Sequence, residues 1–496
     1  MFLMSYPRTI FLNTFAQVIS RFFSIAVSII SVIVLTRYLG TTGYGQFNTA
    51  LVFVGFLSVL GDLGTYQILI RELSQTSVKD ETKRKQILGN VFSWRVISAF
   101  LMFVFIVGAS RLMPYDQVVK LAIIIESARS SIYLLRIFFV ALPQINLRLD
   151  LSAWGEILGR FLYLLAVVSI AYFRLNLIML FIFSLVAFSV ETIYMAVVFR
   201  KMRGEFRFYF DWSFLKTFLK ESLVLGFASV IGNVHFSVDT ILLSIMKPAA
   251  DVGIYSAAYR VFSIWVGLPA LFLAAIFPRY SVLAKTINWR NFFRRSLNIL
   301  WIAAWPFTLF TFIFAPHITQ MLGGTDFKQS VIPLSFLSFA LLGGFMASGF
   351  SQMVIALHKQ KQVVLVVFLA MSLNLILNLI LIPRFSYKGA AIATLISENF
   401  TFLLFAFLFN KFLSFRLEIN FLLKSFLPIT VLVLVLLILR TILPFSIFST
   451  QTLLLNFVEI STIAAVSFVV YIGVVIILDL IPKNLIRQII RPSGKF

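Results

Sequence analysis

The sequence predicts an all-α integral membrane protein of about 14 transmembrane helices, built as two parallel six-helix repeats followed by a helix pair. Three observations carry that prediction. Of 496 residues, 60% are hydrophobic and only 12% charged, with a mean hydropathy of +0.99. That leaves too little polar surface to solvate a body of this size in water. Apolar stretches long enough to span a bilayer recur along the whole chain, and the basic residues gather in alternate connections between them.

The spans fall at 10–36, 45–69, 87–112, 117–142, 152–173, 175–199, 216–245, 252–277, 293–316, 330–356, 362–382, 388–410, 421–442 and 455–480. The first run, from Ile10 to Thr36, exceeds the apolar core of a signal peptide and has no small-residue cleavage site after it, so it is a span. One set of alternate connections, from Arg8 through 71–85, 200–220 and 279–295 to the tail, holds roughly 27 lysines and arginines against about 8 in the other set. Both termini of the multi-pass chain are therefore expected in the cytoplasm.

The chain repeats at an offset of about 208 residues. Gly45-Gln-Phe-Asn-Thr-Ala50 follows the first span, and Gly253-Ile-Tyr-Ser-Ala-Ala258 follows the seventh. Six spans separate the copies, so both halves run in the same sense and a midplane site is expected between them. The expected domains are an N-terminal lobe over 1–210, a C-terminal lobe over 211–412, and helices 13 and 14 with a cytoplasmic tail over 413–496.

Composition and motifs exclude several functions. The formal charge of +23 lies mostly in the connections, where it faces an anionic leaflet rather than a nucleic acid. There is no cysteine, and His235, His317 and His358 lie too far apart to share a metal ion. No phosphate-binding loop and no catalytic constellation stands out, so the chain is expected not to be an enzyme.

Function is expected where charge enters the spans. Arg21, Arg95, Lys120, Arg129, Arg136, Arg160 and Arg260 lie within them, and each costs at least ~2.5–3.5 kcal/mol near the bilayer centre. Lys120 opens its span and reaches the headgroups. Arg95 and Arg160 lie nearer the ends, and Glu156 is spaced to pair with Arg160. Arg21 sits deeper, on a polar stripe with Asn13, Gln17, Ser24, Ser28 and Ser31 at ~100° per residue. Glu126, Arg129, Tyr133 and Arg136 share a face of the fourth span in the same way. Two such stripes suit a water-filled, net positive cavity, with Arg260 as the second half's deep cation. Arginine stays protonated and its fork matches phosphate oxygens, so an anionic ligand, phosphate or pyrophosphate, leads; polar packing and a structural ion-pair network are the alternatives. For the acids within the spans local hydrogen bonding is the leading reading, and coupling of a proton or sodium ion is the alternative, with Asp239, His235, Glu126 and Glu398 as its candidates; no other cofactor is expected.

Three stretches carry a resemblance. Thr36-Arg-Tyr-Leu-Gly40, Gly43-Tyr-Gly45 and Ile70-Arg-Glu-Leu-Ser74 resemble the N-terminal signature of bacterial polysaccharide flippases. Val252-Gly-Ile-Tyr-Ser-Ala-Ala-Tyr-Arg260 is similar to their motif after the seventh helix. Asn374-Leu-Ile-Leu-Asn378, Ile382-Pro-Arg384 and Gly389-Ala-Ala-Ile-Ala-Thr394 are similar to their junction of helices 11 and 12. That family belongs to the multidrug/oligosaccharidyl-lipid/polysaccharide exporter superfamily. The resemblance implies two six-helix lobes around a central cavity, a further helix pair, and Arg21 and Arg260 as cavity arginines. It implies a flippase that moves undecaprenyl-pyrophosphate-linked glycan by alternating access for O-antigen, lipopolysaccharide or capsule synthesis. Expected partners are the lipid bilayer, a polysaccharide polymerase and a chain-length regulator. A multidrug or cation antiporter of the same superfamily is one alternative, and a membrane polymerase or acyltransferase is another.

Overall fold

The computed structural model describes residues 6–77, 80–205, 207–284, 286, 289–442 and 453–480, without the side chains of 6–16, 18, 22, 224–225, 227–236, 442 and 453–457. The fold is all-α. Among the described residues ten helices are long and apolar enough to cross a membrane. Two of these ten helices each carry two expected spans around a kink, and the expected spans in α4 (Gln117–Ile145) and α7 (Trp212–Met246) are not among the ten. α1 (Tyr6–Asp62) carries the first span and much of the second, bent at Gly40 with φ 62 and ψ −173. Only glycine adopts that conformation readily. α13 (Gln360–Leu413) carries the eleventh and twelfth spans around Ser386, three residues after Pro383 removes a rung of the helical ladder.

Two compact units emerge, residues 1–253 and 254–496. In the first, α1 is followed by α2 (Thr65–Gln75), α3 (Glu81–Arg111), α4 (Gln117–Ile145), α5 (Leu149–Phe173), α6 (Leu177–Lys201) and α7 (Trp212–Met246). Asp80, Asp116, Asn176 and Asp211 cap α3, α4, α6 and α7, each side chain accepting from a first-turn amide. Such caps supply the orphaned N–H groups that a membrane interface satisfies poorly. The second span departs from expectation: instead of one helix over 45–69, it breaks between α1 and α2, where Leu63 (φ 42) and Gly64 (φ 77) are left-handed. Thr65 answers the break, its hydroxyl donating to the Asp62 carbonyl at 2.7 Å and carboxylate at 3.1 Å.

Close backbone approach fixes the packing. A Cβ on Gly45 would lie 1.7 Å from the Ala249 carbonyl oxygen, and one on Gly253 would lie 2.0 Å from that of Thr41. These are the glycines that mark the internal repeat, and they meet each other. Glycine at both is what lets the start of α8 (Ala249–Val266) cross α1 at backbone contact. Likewise, Gly226 of α7 admits the Leu63 backbone at the helix break.

The second unit holds the rest of α8, α9 (Leu268–Leu283), α10 (Trp289–Ile313), α11 (Ala315–Gly323), a 3₁₀ turn (Gly324–Ser330), α12 (Val331–Ala356), α13, α14 (Ile419–Ile442) and α15 (Leu453–Ile477). Its core is aromatic: Phe293 lies 4.9 Å from Phe415, and Phe350 lies 4.9 Å from Phe409. Gly343 brings α12 against the Glu398 backbone of α13. Trp301 donates to Ser425 at 3.0 Å and Tyr471 donates to the Ile302 carbonyl at 3.1 Å, so α14 and α15 both dock on α10.

Glycine substitution separates contact from propensity. Gly45→Ala should destabilise by about 1–3 kcal/mol or more, because the new methyl meets backbone that cannot rotate away. Gly55, where an added methyl would meet nothing within 4 Å, should tolerate alanine and gain roughly 0.5–1 kcal/mol of helix stability. Thermal unfolding of the purified variants in detergent checks both.

Candidate functional site

The arginines of the first unit fall into two classes. Arg95 is the clearest of the held class: it is 0% exposed, and its Nη2 donates to Asp62 Oδ1 at 2.6 Å. Its Nε and Nη1 make no hydrogen bond among the described residues. Asp62 is the last residue of α1, so the helix break turns a carboxylate, together with the helix's negative end, toward the guanidinium.

On α4, the face predicted to carry Glu126, Arg129, Tyr133 and Arg136 packs toward α6. Arg129 grips Glu126 with both arms of its fork, Nε lying 2.8 Å from Oε2. Arg136 pairs with Glu191 of α6. Phe188, one turn before Glu191, lies beneath both guanidinium groups at 5.3 and 5.7 Å from its centroid, with Tyr133 at 6.1 Å. One aromatic ring and two carboxylates therefore hold these arginines. Glu126 is buried and has both oxygens on Arg129.

Arg21 belongs to the other class. It is exposed and makes no ion pair or hydrogen bond among the described residues. Gln17, one turn away, is exposed too. Ser20 and Ser24 are buried and donate to Glu156 of α5 at 3.2 and 3.0 Å. The expected Glu156–Arg160 pair does not form. The glutamate turns to the serines of α1, which offer two donors across a close helix contact, and Arg160 is left exposed one turn on. The side chain of Asn13 lies outside the described residues.

The remaining candidates stand apart. Asp239 is buried on α7, and its Oδ1 accepts from the Thr240 amide at 2.7 Å. The side chain of His235 lies outside the described residues. In the second unit Arg260 is exposed on α8, while Glu398 is buried on α13 beside Gly344. Asn374 donates to Ser397 at 3.0 Å across the Ser386 bend, tying the two arms of α13 together, and Asn378 donates to Asn374 at 2.9 Å within the first arm. Among the described residues no group of three or more metal-ligating side chains occurs.

Sequence reasoning missed Asp62 altogether and did not join Glu191 to Arg136. The Gly61-Asp-Leu-Gly64 run inside an apolar span was the clue to the first. Glu191 offered none, because its partner lies two helices away.

Known proteins extend the picture. A family model described as polysaccharide biosynthesis protein matches residues 10–284, more than half of the chain. The probable flippase AglR of Haloferax volcanii is 30% identical over 164 residues. That stretch is 32% of this chain and 34% of AglR, so the chain aligns with about a third of that relative's length. The solved structure of lipid II flippase MurJ in its inward closed conformation matches with a TM-score of 0.74 at 16% identity, over 94% of this chain and 100% of the other. An inward-facing multidrug resistance MATE family transporter of the MOP superfamily matches with a TM-score of 0.65 at 14% identity, over 78% and 94%. At such identities the likeness is one of fold.

The Arg95–Asp62 pair makes a sharp prediction. Asp62→Ala leaves a buried guanidinium uncompensated and should cost about 3–5 kcal/mol, whereas Asp62→Ala combined with Arg95→Met should recover most of it. Thermal unfolding of the two variants in detergent compares them.

Proposed function

This chain belongs to the polysaccharide biosynthesis protein family, and from that membership we propose that it is a flippase for lipid-linked oligosaccharide. It carries undecaprenyl-pyrophosphate-linked repeat units from the cytoplasmic to the periplasmic leaflet by alternating access, supplying O-antigen or another surface polysaccharide. It works as a transporter rather than an enzyme, in a bacterial inner membrane with both termini cytoplasmic. The lobes over 1–210 and 211–412 and the pair beyond them are its moving parts. A polymerase and a chain-length regulator take the product onward.

One observation supports this reading most: Arg21 is exposed and unheld while Arg95, Arg129 and Arg136 are each held by a carboxylate. A guanidinium within a span is costly unless compensated. Where the chain itself compensates, the arginine is structural; where it does not, a ligand must. A pyrophosphate supplies the matching charge and oxygen geometry. Arg21, with Gln17 beside it, is therefore the primary anion contact and Arg160 an additional one; Arg260, exposed on α8, joins them on the family resemblance. Ser24 positions Arg21's helix through Glu156. Arg129, Tyr133 and Arg136 contribute in the conformation in which their carboxylates let go, since the substrate must bind the two states differently to drive the cycle. Of the coupling candidates, Asp239, His235 and Glu398 precede Glu126, because a proton or sodium ion at Glu126 must first displace Arg129. A cation antiporter would instead require an open carboxylate at membrane depth.

Arg21→Ala should abolish surface polysaccharide while membrane abundance and unfolding temperature stay at the wild-type level. Arg129→Ala should lower both abundance and unfolding temperature, since it frees a buried carboxylate. Polysaccharide display measured beside membrane immunoblots reads the difference, and normal display from Arg21→Ala would remove Arg21 from the site.

A further inference from the structure

The connection between α6 and α7 is an ordered strap. Residues 202–205 leave α6 through Arg203, which is left-handed at φ 60, and residues 207–211 lead without helix to the start of α7. The segment is fastened to α3: the Tyr209 amide donates to Ser93 Oγ at 3.0 Å, and the Asp211 amide donates to Asn90 Oδ1 at 2.6 Å. Gly89 leaves the room, since a Cβ there would lie 2.8 Å from Tyr209 Cβ. The backbone amides thus face α3, and the Phe208 ring rests 5.4 Å from that of Phe92 while most of each aromatic side chain stays exposed.

The outward side chains are aromatic. Phe208 is 74% exposed and Trp212 60%, with Tyr209 and Phe210 exposed between them and Phe210 stacked on Trp212 at 6.2 Å. So many contiguous exposed rings are costly against water but at home at a bilayer interface. The acids of the segment are already engaged. Glu205 bonds Lys85 at 3.0 Å, with Arg207 3.8 Å from its other oxygen. Asp211 caps α7 by accepting from the Ser213 amide at 2.9 Å. Lys201, Arg203, Lys216 and Lys220 flank the rings in sequence, exposed and without an acidic partner among the described residues.

We propose that this strap is a docking surface for anionic phospholipid headgroups, with the rings seated among the glycerol and upper acyl groups and the cations on the phosphates. Charge complementarity selects the occupant: rings alone would accept any lipid, and the surplus cations demand an anionic one. Because the strap is bonded to α3 and caps α7, lipid held there anchors the joint between the two repeats to the membrane surface. The inference does not depend on the transported cargo.

The absence of cysteine makes a direct test possible with the full chain in vesicles. A fluorophore is placed at Ser213→Cys, beside the rings. A control label goes at Leu112→Cys, which is 84% exposed at the far end of the 31-residue α3. Spin-labelled phosphatidylglycerol and spin-labelled phosphatidylcholine are compared as quenchers at equal trace fraction. At residue 213 the anionic lipid should quench about fivefold more effectively, and at residue 112 the two should be equal. In Lys201→Glu/Arg203→Glu/Lys216→Glu the preference should vanish while quenching by phosphatidylcholine persists, because the rings still seat in the bilayer. Equal quenching at 213 in the wild type would overturn the proposal. Quenching there by neither lipid would do so as well, placing the strap in water or under a protein partner.

Discussion

A guanidinium inside an apolar helix bundle has to find a carboxylate, and the first unit is organised around that requirement. Arg95 is fully enclosed and reaches Asp62 at 2.6 Å. Arg129 folds back on Glu126 within α4, and Arg136 crosses to Glu191 on α6. The pairs between helices join elements that apolar packing alone would leave free to slide, because one phenylalanine or leucine contact is much like the next. They fix which turn of one helix meets which turn of its neighbour. Removing one member leaves an uncompensated charge, a larger loss than any single apolar contact.

The same requirement accounts for the break between α1 and α2. An unbroken helix over 45–69 would keep its backbone bonds but could not end on Asp62. Ending there exposes carbonyls and amides at membrane depth, which is tolerated only where the protein satisfies them. Thr65 accounts for part of that need, Arg95 sits against the carboxylate, and Gly226 lets α7 close over Leu63. Several helices thus converge on a few residues, with Leu134 of α4 close to Gly61 on the remaining side. Rigidity at that point contrasts with the exposed Arg21 on the N-terminal half of α1, so held and exposed charge occupy different parts of one helix.

A fold shared with both a lipid II flippase and a multidrug transporter does not determine the cargo. Here Asp62, Glu126 and Glu191 are each committed to an arginine and Glu156 to two serines, while Arg21 and Arg160 stay exposed. The strap between α6 and α7 shows the same logic at the surface, where engaged acids leave surplus cations among exposed rings.

The sequence by itself determined the membrane class, the spans and the internal repeat, because each depends on hydropathy or self-similarity along one chain. Gly45 and Gly253 were legible as repeat marks, and the α4 face of Glu126, Arg129, Tyr133 and Arg136 was legible from helical periodicity. Periodicity says which residues share a face, but not what that face meets. Only the tertiary structure could bring Glu191 to Arg136, turn Glu156 from Arg160 to Ser20 and Ser24, and break a span so that Asp62 meets Arg95. Those choices were made between helices, where a carboxylate with several donors in reach takes the partners that packing brings closest. Arg21 and Arg95 look alike in sequence, as basic residues within apolar runs; one is enclosed with a carboxylate and the other left open, a difference that exists only once the neighbouring helices are in place.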